Sequence, residues 1–289
     1  MLKNLMYNRF SAALINHYYD MRLNSPKYFI FVATTGRSGT LTLVDIFSQL
    51  ADCTALHEPY PAMHNRILRA ASYGEKPKVD RFYKTRKSVN IRRDAAGSEY
   101  YLEANHMFIK TFIEQAVNDF GKHLKVIHLV RDPAKVANSI YSLQDQPGTE
   151  EGNRWWLDYR APSNLISIAE VLDGDSEFNH PYYKALWYWF ETEVRIARWK
   201  HRLPDVPFVF FKTEDFSKET QLNQLFQSLD IPVPKDFSSQ VNKTKSHARS
   251  HQKVVSPLPE ETTCEMLQAF KALLIEKQLP IPDTLSHYE

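Results

Sequence analysis

The hexapeptide Thr35-Gly36-Arg37-Ser38-Gly39-Thr40 crowds two glycines, three hydroxyls and one guanidinium directly behind the apolar run Phe29-Ile30-Phe31-Val32-Ala33. A second guanidinium closes Val126-Ile127-His128-Leu129-Val130-Arg131-Asp132-Pro133, and Ser139 follows it by eight residues. Each apolar run reads as a buried strand that stops at a polar turn, and each turn opens a helix. A strand-to-helix turn aims unpaired backbone N–H groups outward, with the positive end of a helix dipole behind them. That is an anion site, and each turn adds an arginine to it. The pair predicts a ligand with two separate anionic groups.

In the first turn, Gly36 and Gly39 remove β-carbons where the backbone folds tightly and an anion must approach closely. Ser38 and Thr40 add hydroxyl donors, and Arg37 adds a fixed charge with several N–H groups. Leu41, Leu43, Val44, Phe47 and Leu50 then recur at helical spacing. The pattern is not a Walker A loop, because Phe31 stands where the first glycine of that motif belongs and Arg37 where its lysine does. In the second turn, Asp132 suits an N-cap and Pro133 the first helical position.

Together the two stretches resemble the 5′-phosphosulfate loop and the 3′-phosphate motif of the sulfotransferases that use 3′-phosphoadenosine 5′-phosphosulfate (PAPS). Val206-Pro207-Phe208-Val209-Phe210-Phe211, which reads as a further buried strand, resembles the late strand of that family. The following Lys212-Thr213-Glu214-Asp215-Phe216 resembles its Glu-Asp-Leu-like turn, with Phe216 in place of leucine, and Asp230-Ile231-Pro232 its Gly-Ile-Pro stretch, with Asp230 in place of glycine. The likeness spans about residues 27–235. It implies an α/β fold, a mostly parallel sheet flanked by helices as in P-loop nucleotide-binding proteins. It also implies in-line transfer of a sulfuryl group from PAPS to a hydroxyl or amine of a small-molecule or carbohydrate acceptor, without a metal.

The resemblance carries roles residue by residue. Thr35, Gly36, Arg37, Ser38, Gly39 and Thr40 are expected at the 5′-phosphate, with Arg37 stabilising the leaving oxygen where several family members carry lysine. Arg131 and Ser139 are expected at the 3′-phosphate. Glu58, in His57-Glu58-Pro59, resembles the glutamate of membrane-type sulfotransferases and is the expected general base. Pro59 favours extended backbone at Glu58, and regular alternation would turn His57, the alternative base, to the opposite side. In cytosolic members a catalytic histidine follows a Lys-Thr pair, whereas Phe112 follows Lys110-Thr111 here. His106 is the reserve base, and Asn105 is a contact to the acceptor or cofactor, or a buried structural hydrogen bond. The basic stretch Asn242–Arg249 lies where the family closes a loop over the 3′-phosphate; a solvated loop is the other reading.

The elements that must hold these groups are expected strands at Tyr28–Ala33, Thr54–His57, Met107–Thr111, Lys125–Val130 and Pro207–Phe211, alternating with helices, which favours a parallel sheet covered on both faces. A helix from about Tyr182 to Arg202 buries Trp187 and Trp189 as core. Residues 1–26 read as an N-terminal helical extension to one sulfotransferase domain over 27–289. Residues 74–100 read as irregular, their basic run as a solvated face. Residues 144–182 form a lid or insertion in which Trp155 and Trp156 either pack or, beside Glu150, Glu151 and Asp158, receive a cationic acceptor.

A formal net charge of +2 argues against nucleic acid as the main partner. Cys53 and Cys264 are too few for a disulfide framework, which with no apolar run of membrane-spanning length favours a cytoplasmic location. Two rival functions are a P-loop kinase using ATP and magnesium, which the missing Walker lysine disfavours, and a non-catalytic nucleotide-binding protein that keeps the anion site without a base.

Overall fold

The computed structural model describes residues 8–22, 26–233 and 254–288. Five strands, β1 (Tyr28–Ala33), β2 (Cys53–His57), β3 (Tyr100–Ala104), β4 (Leu124–Val130) and β5 (Phe208–Lys212), form one sheet in the order β2-β3-β1-β4-β5. All four pairings are parallel. Among the helices are α1 (Arg9–Arg22), α2 (Thr40–Phe47), α3 (Arg66–Ser72), α4 (Lys76–Phe82), α5 (Ser88–Ala95), α6 (Ile113–Phe120) and α7 (Pro133–Tyr141). The short α8 (Gly152–Trp155) and α9 (Ala169–Leu172) lead to α10 (Pro181–Arg202), α11 (Glu219–Ser228) and α12 (Glu260–Glu276).

Alternation along β1 sorts the core. Phe29, Phe31 and Ala33 enter a cluster with α6, α7 and α10, while Ile30 and Val32 pack on the other face with Leu43, Ile46 and Phe47 of α2 and Leu222 and Phe226 of α11. The helices that follow the neighbouring strands β1 and β4 therefore lie on opposite faces of the sheet. A crevice opens between the carboxyl ends of two such strands, which is where open α/β sheets bind ligands.

Several elements differ from expectation. Met107–Thr111 is not a strand. The strand is Tyr100–Ala104, and Phe108–Phe112 forms a π-helical turn leading into α6. Asn105 explains the switch: its Oδ1 accepts from Met107 N (2.9 Å) and its carbonyl from Phe108 N (3.0 Å), which starts a helix after the strand. The apolar run then faces the core at helical rather than alternating spacing. β5 lies at the sheet edge, and Phe211 alone of its residues is buried.

Residues 76–95 are helical rather than irregular, and Lys87 in their basic run is buried. The 144–182 segment joins the main core through Trp156, Leu157, Tyr159, Ile166 and Ile168. Glu191 of α10 pins it, accepting from Leu165 N (3.0 Å) and Ile166 N (2.8 Å), while Arg195 holds the carboxylate at 2.6 Å. Asn242–Arg249 lies outside the described residues.

Phe31 sits at the centre of this packing, fully buried and stacked on Phe108 at 4.9 Å. Phe31→Ala is expected to cost about 3–5 kcal/mol in urea unfolding, as a midpoint shift with an unchanged slope.

Candidate active site

The loop after β1 is built on left-handed backbone: Gly36, Arg37 and Gly39 have φ of 86°, 57° and 75°. At Gly36 a β-carbon would meet Trp156 at 3.1 Å and His106 at 3.3 Å; at Gly39 it would meet Phe216 at 2.9 Å. Both glycines are thus required twice, by conformation and by close approach. The N–H groups of Gly36, Ser38 and Gly39 make no backbone hydrogen bond among the described residues. Thr35 and Ser38 turn their buried hydroxyls inward, 2.9 Å apart, each donating to Gly36 O. The expected hydroxyl donor Ser38 therefore braces the loop, leaving its backbone N–H for an anion. Thr40 Oγ1 lies 3.0 Å from His57 Nε2.

Both arginine turns come together. Arg131 Nη1 donates to Arg37 O (2.7 Å), and Arg37 Nε donates to Ser139 Oγ (3.0 Å). Thr213, just beyond β5, donates to Ser38 O (2.8 Å) and Val130 O (3.1 Å), closing the same junction from the other side. Asp132 caps α7 by accepting from Lys135 N (3.1 Å), with Pro133 in the first turn, as its sequence indicated.

All three candidate bases also converge, by a route that alternation does not describe. Glu58 is not extended; its φ is 46°. The strand ends at His57, and the turn at Glu58 puts its Oε1 4.0 Å from His57 Nε2 and 3.4 Å from His106 Nε2. The expectation that His57 faces away from Glu58 is thereby corrected, because alternation stops where the backbone leaves the β region. Behind His106 stands Lys110, which sequence reasoning set aside with the Lys-Thr pair. Its Nζ lies 2.6 Å from His106 Nδ1 and donates to Tyr188 Oη (2.7 Å) and Trp155 O (3.1 Å). Tyr188 in turn donates to Thr35 O.

Lys110 makes no ion pair shorter than 4 Å among the described residues, and burial holds its pKa well below the usual lysine range despite the pull of Glu58. Burial, reinforced by the charges of Lys110, His57 and His64, holds His106 well below its ordinary 6.5. His106 is therefore neutral at pH 7. Lys110 Nζ meets Nδ1 of His106, so the Nε2 edge of the ring is the one that faces Glu58. Glu58 is the member of this chain open to an incoming acceptor, with 32% of its side chain exposed against 4% for His106.

A buried ion pair supports both turns. Lys87 Nζ lies 2.7 Å from Glu103 Oε1 and donates to Pro59 O (3.3 Å), while Tyr101 and Asn105 donate to the same carboxylate at 2.9 and 2.8 Å. Asn105 is thus a structural hydrogen-bonding residue. Trp155 and Trp156 pack, Trp156 against His106 (5.2 Å) and Tyr188 (5.1 Å). No group of three or more His, Cys, Asp or Glu able to hold a metal occurs among the described residues, and no helix among them is long and apolar enough to cross a membrane.

Comparison with known proteins agrees with this architecture. Residues 28–161 match the family described as "Sulfotransferase domain". No curated protein matches by sequence. Sulfotransferase STF9 from Mycobacterium avium is similar in structure, with a TM-score of 0.50 at 13% identity over 95% of this chain and 84% of that one. The sulfotransferase domain from the curacin biosynthetic pathway gives 0.48 at 14% identity, covering 89% and 99% of the two chains. Mouse sulfotransferase SULT7A1, solved with PAP, gives 0.43 at 16% identity over 81% and 69%. The likeness to the mycobacterial enzyme shows the fold. The match of residues 28–161 to the sulfotransferase domain, which takes in both strand-and-turn units, supports the class of this chain: an enzyme that transfers a sulfuryl group, a sulfotransferase.

Asp145, near Arg37 and Trp156, has its pKa pushed up to about 6 because burial outweighs the pull of Arg37. A carboxyl raised in the folded state costs stability progressively as pH rises from its ordinary 3.8 to about 6, and fully above that. Asp145→Asn is expected to raise stability at pH 7.5 by on the order of 2 kcal/mol, with the gain vanishing below about pH 4, in denaturant titrations across pH.

Proposed function

We propose that the donor is PAPS and that the acceptor is a hydroxyl or amine of a small molecule or carbohydrate. The observation that carries this reading is the junction of the two arginine turns, Arg131 on Arg37 O and Arg37 on Ser139, at the carboxyl ends of adjacent strands. It suits a ligand with two anionic groups held close together, as the 5′-phosphosulfate and 3′-phosphate of this donor are. The N–H groups of Gly36, Ser38, Gly39 and Thr40 are assigned to the 5′-phosphate. Arg131 and Ser139 are assigned to the 3′-phosphate, with Arg37 between the two as the charge stabiliser. The donor supplies the sulfuryl group and departs as PAP.

Glu58 is the proposed base. It accepts the proton of the acceptor while His106, its ring oriented by Lys110, lies with Nε2 against the carboxylate. His57, braced by Thr40, flanks it. Positioning and charge stabilisation supply most of the rate in such group transfers. A cytoplasmic location belongs to the same proposal and rests on the cysteine usage.

Calorimetric titration with PAP tests the donor. Binding of PAP in preference to magnesium ATP, weakened at least about tenfold in Arg131→Ala, is expected. Preference for magnesium ATP would instead support a kinase. With the donor established and an acceptor in hand, Glu58→Gln is expected to lower kcat by about 10²–10⁴ and leave PAP affinity unchanged. An unchanged rate would remove Glu58 from the role of base.

A further inference from the structure

Where the chain runs from the Glu58 turn into α3 lies an open cavity of about 540 Å³ walled by α3, α4 and the π-helical turn Tyr83–Lys87. That volume is in the range of small-molecule sites. His64, Arg66, Lys78, Arg81 and Arg86 contribute to its lining, with Phe82 as an apolar wall, and no carboxylate lines it. Of the carboxylates beside these residues in sequence, Glu75 pairs with the lining Lys78 at 3.1 Å, and Asp80 accepts from Gln115 at 2.7 Å. Neither Arg66 nor Arg81 forms an ion pair shorter than 4 Å among the described residues. An ordinary solvated face carries both signs of charge; the charged side chains that line this cavity are all cationic.

Two observations connect the cavity to the chemistry. His64 stacks on Trp155 with centroids 4.5 Å apart and planes at 7°, and Trp155 O accepts from Lys110 Nζ, the group bonded to His106. Glu58 and His64 are six residues apart, so their α-carbons lie within roughly 20 Å of each other even with the chain fully extended. His64 Nδ1 is also buried without a hydrogen-bond partner among the described residues.

We propose that this cavity is the distal part of the acceptor site and that the acceptor carries an anionic group, a carboxylate, phosphate or sulfate, which Arg66, Lys78, Arg81 and Arg86 bind while its reacting group lies at Glu58. The proposal rests on the sulfotransferase reading of the site. Arginines suit the task because their planar guanidinium matches two oxygens of such a group at once. The neutral end of the acceptor then meets Phe82 and the His64–Trp155 stack.

The test is calorimetric titration with p-nitrophenyl β-D-glucuronide and p-nitrophenyl phosphate, against the uncharged p-nitrophenyl β-D-glucoside, with and without PAP. The anionic probes are expected to bind at least about tenfold more tightly than the glucoside, with an affinity that falls as salt rises. Arg66→Glu/Arg81→Glu is expected to abolish that preference while thermal stability and PAP affinity stay those of the parent. Equal affinity for charged and uncharged probes, no binding of either anionic probe, or a preference that survives the double substitution would each overturn the proposal. Failure of PAP to bind the parent protein would instead defeat the donor reading, and anion binding lost in the double variant would then still locate an anion site here.

Discussion

A single hydrogen-bonded junction holds the site together: the Arg131 guanidinium on the carbonyl of Arg37, and the Arg37 side chain on Ser139. It joins two loops that leave adjacent parallel strands toward opposite faces of the sheet. Without it, each loop would be a separate turn on its own strand. With it, the two N-terminal helix dipoles of α2 and α7 and both guanidinium groups act on one crevice. Thr213 locks the junction from the edge strand, and Tyr188 holds Thr35 from α10, so four elements converge on six residues of loop.

The catalytic side depends on burial rather than on exposed charge. Lys87 and Glu103, at 1% and 0% side-chain exposure, tie the Pro59 carbonyl to the end of β3. A buried pair of this kind contributes little net stability but is costly to break, because one charge would be left unpaired. Its value here is geometric. It sets the Glu58 turn against the Asn105–His106 turn, and Lys110 then fixes which nitrogen of His106 faces the carboxylate. The 144–182 segment packs over this side, with Trp156 lying against both His106 and Gly36.

Much of this was legible in the chain. The Thr35–Thr40 turn, the Arg131–Ser139 unit with its Asp132 cap, and α10 could be placed because each has a local signature in turn chemistry or periodicity. The Met107–Thr111 element could not, because a short apolar run suits a strand or a buried helix equally, and the deciding contact is the Asn105 side chain on a neighbouring backbone N–H. Lys87 was legible only as one of a run of surface cations. Its partner Glu103 and the Pro59 carbonyl it holds are far from it in sequence, so no spacing rule could reveal the pair.

What the sequence determined by itself is therefore local: which strands end in polar, arginine-bearing turns, where the helices behind those turns start, and which residue types stand near them. What only the tertiary structure decided is orientation. Glu58 adopts left-handed backbone, His57 and His106 converge on it, and Lys110 is turned inward to hold His106. These outcomes follow from long-range packing: the buried Lys87–Glu103 pair holds Pro59 against the end of β3, while Tyr188 of α10, Trp155 and Trp156 lie against Lys110 and His106. The energy of such a pair depends on the solvent exclusion that the assembled fold provides, a quantity that no local stretch of sequence carries.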